Sequence, residues 1–180
     1  MSDKATISIR RGNVYDLFAL EFLLSKGLEE SNGLLPDYDQ LPTLHKSLDM
    51  LHTGSVFVAC EGDEAARSEK IVGCLALNPE AFSWNSAVVV LRSVHFYVLP
   101  AFRARTLADG VTLVFDGLRR VGSDLADAAN MPMIIEQLHQ VGPDNRAEAK
   151  DELFKRAGLS YVGGNFVYLP KPRQEQGKAA

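Results

Sequence analysis

The sequence predicts a single α/β domain of the α+β kind, and three observations carry that prediction. Apolar residues recur near helical spacing between Val14 and Leu28, and from Ser55 onward they gather into strand-like runs. The longest run ends at Val98-Leu99-Pro100 and hands over to a second helical pattern. With 180 residues and 46% hydrophobic content the chain can bury one sizeable core.

Residues 5–10 alternate apolar and polar side chains as a first strand. A helix follows, with Asn13 placed to cap it, Val14, Leu17, Phe18, Phe22, Leu24 and Leu28 at helical spacing, and Gly27 and Gly33 loosening its end. Residues 31–39 are rich in turn formers, and a shorter helix is expected over 44–51. Residues 56–60 and 71–77, separated by a charged turn, read as a hairpin. Residues 78–86, with Phe82 and Trp84, read as a loop whose aromatic residues pack over an edge of the core. The run from Ala87 to Val98 is too continuously apolar for a strand with one wet face and is expected mid-sheet.

After Pro100 the pattern turns helical, with Leu107, Val111, Val114, Leu118 and Val121 along one face, Arg119 and Arg120 near its end, and Gly122 closing it. Residues 131–136 make a fifth strand, and 144–157 an amphipathic helix capped by Asp144 and stopped by Gly158. Residues 159–162 and 165–169 form a closing hairpin around Gly163-Gly164. The domain therefore spans 1–170, and the polar tail 171–180 is expected to be disordered.

Composition narrows the function classes. The 19 Lys and Arg against 23 Asp and Glu give a net charge of −4, without the basic excess of a nucleic-acid binder. No stretch approaches the ~20 apolar residues of a membrane span, and the N-terminus has no basic segment followed by an apolar run, so a cytoplasmic protein is expected. Cys60 and Cys74 sit in apolar strands and read as two buried thiols. His45 and His52, seven apart on a surface helix without ligand-spaced carboxylates, do not make a metal site, and neither a Gly-x-Ser-x-Gly nor a Walker-type loop occurs.

The stretch from Val94 to Ala108 points to an anion. A strand that stops at a proline and passes into a helix leaves first-turn N–H groups without partners, and Arg103 and Arg105 stand beside them. The element order, with Val98-Leu99-Pro100 followed by Arg103-Ala104-Arg105-Thr106-Leu107-Ala108, resembles the GNAT superfamily of N-acetyltransferases. The family loop has the form Gln/Arg-x-x-Gly-x-Gly/Ala. Arg103 and Ala108 match it, whereas Thr106 replaces the first glycine. A second match is Leu153-Phe154-Lys155-Arg156-Ala157-Gly158-Leu159, similar to the family's Leu-Tyr-x-x-x-Gly-Phe, with Asn145 two residues farther upstream than usual. Phe154 stands where the family tyrosine commonly protonates the departing thiolate, a role that phenylalanine cannot fill.

The resemblance implies a mixed, mostly antiparallel, twisted sheet of six to seven strands with about four helices. It also implies acetyl-CoA as acyl donor and an amine on a small molecule or protein as acceptor. The coenzyme is then expected along Phe96, Tyr97 and Val98, on Arg103, Ala104, Arg105, Thr106, Leu107 and Ala108, and at Asn145. For the base, Glu136 at the end of the fifth strand is the first candidate, against the reading of a solvated strand-end carboxylate. His95 is the second, against that of a hydrogen-bonded core histidine, with His139 and Tyr161 more remote. Glu29, Glu30, Asp37 and Asp39 are either solvated surface charge or a lure for a cationic amine. A domain that has lost turnover, and binds acyl-CoA or a protein partner, is the alternative reading. The C-terminal hairpin, where Phe166 and Tyr168 alternate with Val167, could pair across an edge into a homodimer.

Overall fold

The computed structural model describes residues 6–30, 40–62, 69–82, 85–136, 158–162 and 165–170. The strands are β1 (Ile7–Arg11), β2 (Val56–Glu61), β3 (Lys70–Phe82), β4 (Asn85–Val98), β5 (Met133–Glu136), β6 (Ser160–Val162) and β7 (Asn165–Tyr168). The helices among the described residues are α1 (Leu17–Glu30), α2 (Gln40–Thr53) and α3 (Val114–Ala129). The expected helix over 144–157, with Asn145 and Phe154, lies outside the described residues, as do Trp84, His139 and the tail.

The strands form one sheet in the order β1-β2-β3-β4-β5-β7-β6, antiparallel throughout except for the β4–β5 pair. This is the mixed, mostly antiparallel sheet that the resemblance implied. Both of its faces are covered, which explains the unbroken apolar character of β2 and β3. Phe57, Ala59, Leu75, Leu77, Phe96 and Val98 pack against Val114, Leu118 and Ala126 of α3. Their neighbours in sequence, Val56, Val58, Cys60, Cys74, Ala76 and Tyr97, pack against Leu20 and Leu23 of α1 and Met50 and Leu51 of α2. The alternation has period two, as a sheet packed on both sides requires.

The start of α1 follows the sequence reading. The Asn13 side chain accepts from Tyr15 N at 2.9 Å, and Asp16 accepts from Asn13 N at 2.8 Å, closing a capping box on a short 3-10 turn that leads into the helix. Arg10 grips Asp16 with both terminal nitrogens, at 2.8 and 2.9 Å, and reaches Glu69 at 2.9 Å. The inward face of α1 differs from the expected one. Leu20 and Leu23 are buried, whereas Phe18 is 82% and Phe22 49% exposed. The helix also runs through Gly27, which lies over His95 and Tyr97 of β4 and does not end it.

Two further expectations are corrected. Most of the loop assigned to 78–86 is strand: β3 and β4 stay paired out to Phe82 opposite Asn85. Pro79 is tolerated there because β2 pairs with β3 only as far as Ala76, so the missing proline N–H lies on an open edge. The helix after Pro100 does not begin in the basic stretch. Residues 100–102 form a single 3-10 turn, and α3 starts at Val114. Between them, the Asp109 side chain accepts from the backbone N–H groups of Val111 and Thr112 at 3.0 and 2.8 Å, and Gly110 adopts φ +71°. That turn breaks the helical spacing, leaving Val111 82% exposed while Leu107 still packs on the core.

Candidate active site

The site is defined by the parting of β4 and β5. The two strands run parallel in register at Leu91 opposite Met133 and Arg92 opposite Ile134. Beyond that, β4 continues to Val98 paired with β3, while Ile135 and Glu136 pair with β7 at Phe166 and Asn165. A wedge therefore opens between the carboxyl ends of two neighbouring parallel strands, a position that favours ligand binding in open sheets.

A bulge sets what β4 presents to that wedge. His95 pairs with Ala76 and Ser93 with Leu77, so Val94 is an extra residue on β4 and the strand reverses its faces there. The Leu99 N–H donates to Val72 O on β3 at 2.9 Å, so the backbone groups of Val98 and Phe96 point the other way, toward the wedge. The Phe96 side chain is buried beneath α3 and stacks on Phe115 with ring centroids 4.3 Å apart. His95 and Tyr97 face α1, with their rings stacked at 6.1 Å.

Cations gather at the end of β4. Arg103 donates through Nε to Val98 O at 2.9 Å and through Nη2 to Glu30 Oε2 at 2.6 Å, and its guanidinium lies 5.4 Å from the centre of the Tyr97 ring. The Tyr97 hydroxyl donates to Glu30 Oε1 at 2.7 Å. Burial and the Glu30 carboxylate push the Tyr97 phenol well above its usual range, so it keeps its proton. Arg105 pairs with Glu61 and lies 5.2 Å from the centre of the Phe102 ring, while Lys70 Nζ lies 5.5 Å from the same ring. Lys70 escaped the sequence reading because it sits 35 residues before Arg105. The two meet through Glu61, which stands opposite Lys70 in the β2–β3 register and pairs with Arg105, and over the Phe102 ring.

The basic loop is internally bonded. The N–H groups of Arg103 and Arg105 donate to Pro100 O and Phe102 O, that of Leu107 to Thr112 O at 2.7 Å, and that of Ala108 to Ile7 O at 3.0 Å. Thr106 stands opposite Leu113 in an isolated bridge, and Ala104 is exposed. Leu113, at the cap position of α3, offers no side-chain hydrogen bond to the first turn. Thus Tyr97, Val98 and Arg103 cluster around Glu30, whereas Arg105, Thr106, Leu107 and Ala108 lean toward β1 and β2. Glu136 closes β5 at the wedge by its backbone position. Asn145 lies outside the described residues. Among the described residues no group of His, Cys, Asp and Glu could hold a metal, and no helix is long and apolar enough to cross a membrane.

Comparison with solved structures decides the architecture. The chain superposes on a GNAT-family acetyltransferase of Staphylococcus aureus Mu50 with a TM-score of 0.59 at 14% identity, covering 91% of this chain and 98% of that one. It has the GNAT fold. An aminoglycoside N-acetyltransferase, AAC(6')-Iy, solved with CoA, matches at TM-score 0.57 and 16% identity over 97% of this chain and 99% of its own. The apo form of an agmatine N-acetyltransferase variant matches at TM-score 0.64 and 14% identity over 91% and 99%. No family model matches the sequence, and none of the curated proteins does. The GNAT fold is therefore carried here by a sequence far from these neighbours.

Proposed function

We propose that the chain is an acyl-CoA-dependent N-acyltransferase, moving an acetyl group from acetyl-CoA to a primary amine. The observation that carries this reading is the wedge between β4 and β5 with Arg103 on its Val98 edge, and with Lys70 and Arg105 grouped around Phe102 beyond the end of β4, toward β2. An extended chain of amides can pair with the Phe96 and Val98 edge of β4, and phosphates suit the three cations and the first turn of α3. The structural neighbour that holds CoA supports the same donor.

The reaction asks little of the protein beyond placement. A neutral amine attacks the thioester carbonyl, a C–N bond forms, and the C–S bond breaks to give an amide and coenzyme thiolate. Two protons must be handled: the amine nitrogen loses one and the thiolate gains one. Glu136 at the wedge takes the first in this reading, with His95 on β4 as the other candidate. Holding donor and acceptor together supplies much of the rate, so a chain with Phe154 in place of a tyrosine can still turn over. The test is release of free coenzyme thiol from acetyl-CoA across a panel of primary amines. Release with any amine, reduced by Glu136→Gln, supports the proposal, and none with all of them rejects turnover.

A second reading, of a domain that binds acyl-CoA without turnover, is favoured by one feature. The loop amides of Leu107 and Ala108 are spent on Thr112 and Ile7, where the expected cradle would turn them to a ligand. Coenzyme binding without thiol release selects this reading.

A further inference from the structure

Glu30 stands where an anionic ligand would have to go. Its Oε2 takes the Arg103 guanidinium at 2.6 Å while its Oε1 takes the Tyr97 hydroxyl at 2.7 Å. It is the last described residue of α1. The contact joins residues 73 apart in sequence, from the helix on one face of the sheet to the loop that follows β4. The same guanidinium also covers the Val98 carbonyl, on the edge of β4 that faces the wedge. Glu30 thus occupies an anion's partner, and that partner in turn covers a strand-edge acceptor.

We propose that Glu30 is a specificity-determining residue: an internal counter-anion that a ligand must displace from Arg103, which selects pyrophosphate-bearing ligands over weaker anions. The proposal rests on the acyl-CoA reading for the ligand's identity, but not for the contact itself. Both partners are partly open to solvent, with side chains 46% and 34% exposed for Arg103 and Glu30, so the pair is screened and weak enough to exchange. A multiply charged pyrophosphate outcompetes one carboxylate for the guanidinium, whereas a small monoanion gains little over Glu30. Selection by a built-in competitor raises the threshold for every ligand and costs the right one some affinity. When Arg103 swings to the phosphates, the Val98 carbonyl is uncovered in the same movement, ready for an amide N–H of the ligand.

The test is calorimetric titration of the intact chain and its Glu30→Gln, Arg103→Ala and double variants, with CoA and separately with inorganic pyrophosphate. Glutamine keeps an oxygen for the Tyr97 hydroxyl and removes only the charge. Glu30→Gln is expected to bind both ligands about two- to five-fold more tightly than the unaltered chain, a gain that shrinks as salt rises. The gain is expected to vanish on the Arg103→Ala background. A structural role for Glu30 would lower affinity instead of raising it. Unchanged or weaker binding by Glu30→Gln overturns the proposal, as does a gain that persists without Arg103. Tighter pyrophosphate binding with no binding of CoA keeps the Glu30 contact and rejects the coenzyme reading. CoA binding that is equal in the unaltered chain and Glu30→Gln does the reverse, and absence of binding of either ligand to all four chains rejects both.

Discussion

Arg92 stands opposite Ile134 in parallel register, and past that pair β4 and β5 share no register among the described residues. The wedge is a consequence of partner choice: β4 stays with β3 to Val98, and β5 stays with β7 to Glu136. An exposed strand edge inside a protein is a site for pairing with another chain or with an amide-bearing ligand. In the proposed reading Arg103, on that edge, favours a ligand with phosphates.

Lys70→Ala and Arg105→Ala should each weaken coenzyme binding about five-fold, the scale of one partly solvated charge contact. The loss should shrink at high salt. Titrations at two ionic strengths check this. A loss independent of salt would mean that the side chains act through packing on Phe102 instead.

The Cys60 thiol is pushed from its ordinary 9.0 up to about 12, chiefly by burial, and burial raises Cys74 in the same direction. Unfolded thiols ionise near pH 9 while the folded ones hold their protons, so their contribution is fully present below that pH. It is lost as the pH rises toward the folded values. The urea midpoint should therefore fall between pH 8 and pH 10, and replacing both cysteines with alanine should flatten part of the fall. In the folded chain at pH 8 neither thiol should react with a thiol-exchange reagent.

Leu118 is fully buried between α3 and the sheet, with a methyl over Gly73. Leu118→Ala should cost about 2–5 kcal/mol in urea unfolding. Val111→Ala, in the loop that sequence periodicity assigned to the same helical face, should stay within about 0.5 kcal/mol. Similar costs at both positions would restore a longer helix.

Glu136→Gln should lower the rate of thiol release by about 100-fold or more if its carboxylate takes the amine proton, with coenzyme affinity unchanged. A rate profile against pH that loses its acidic limb in the variant would fit the same role. An unaltered rate moves the base to His95, tested by His95→Gln.

What the sequence made legible was local. The capping box at Asn13, the apolar runs of β2 and β3, and the strand ending at Pro100 are each written in a few consecutive residues. The start of α3 was obscured because Leu107 and Val111 keep helical spacing across a turn, although Asp109-Gly110 is itself a turn signal. The inward face of α1 was misjudged because its aromatic residues, the strongest apolar markers, lie outside. The contacts that shape the candidate site join residues far apart in the chain: Glu30 with Arg103, Glu61 with Arg105, Lys70 with Phe102. Such pairs follow from strand order and register, which periodicity does not encode. The bulge at Val94, which decides what β4 turns to the wedge, has no sequence signal that we recognise.

The most direct measurement is a calorimetric titration of the purified chain with acetyl-CoA at low salt. The account predicts saturable binding of one coenzyme per chain, weakened by Arg105→Ala. No heat of binding up to millimolar acetyl-CoA would contradict it.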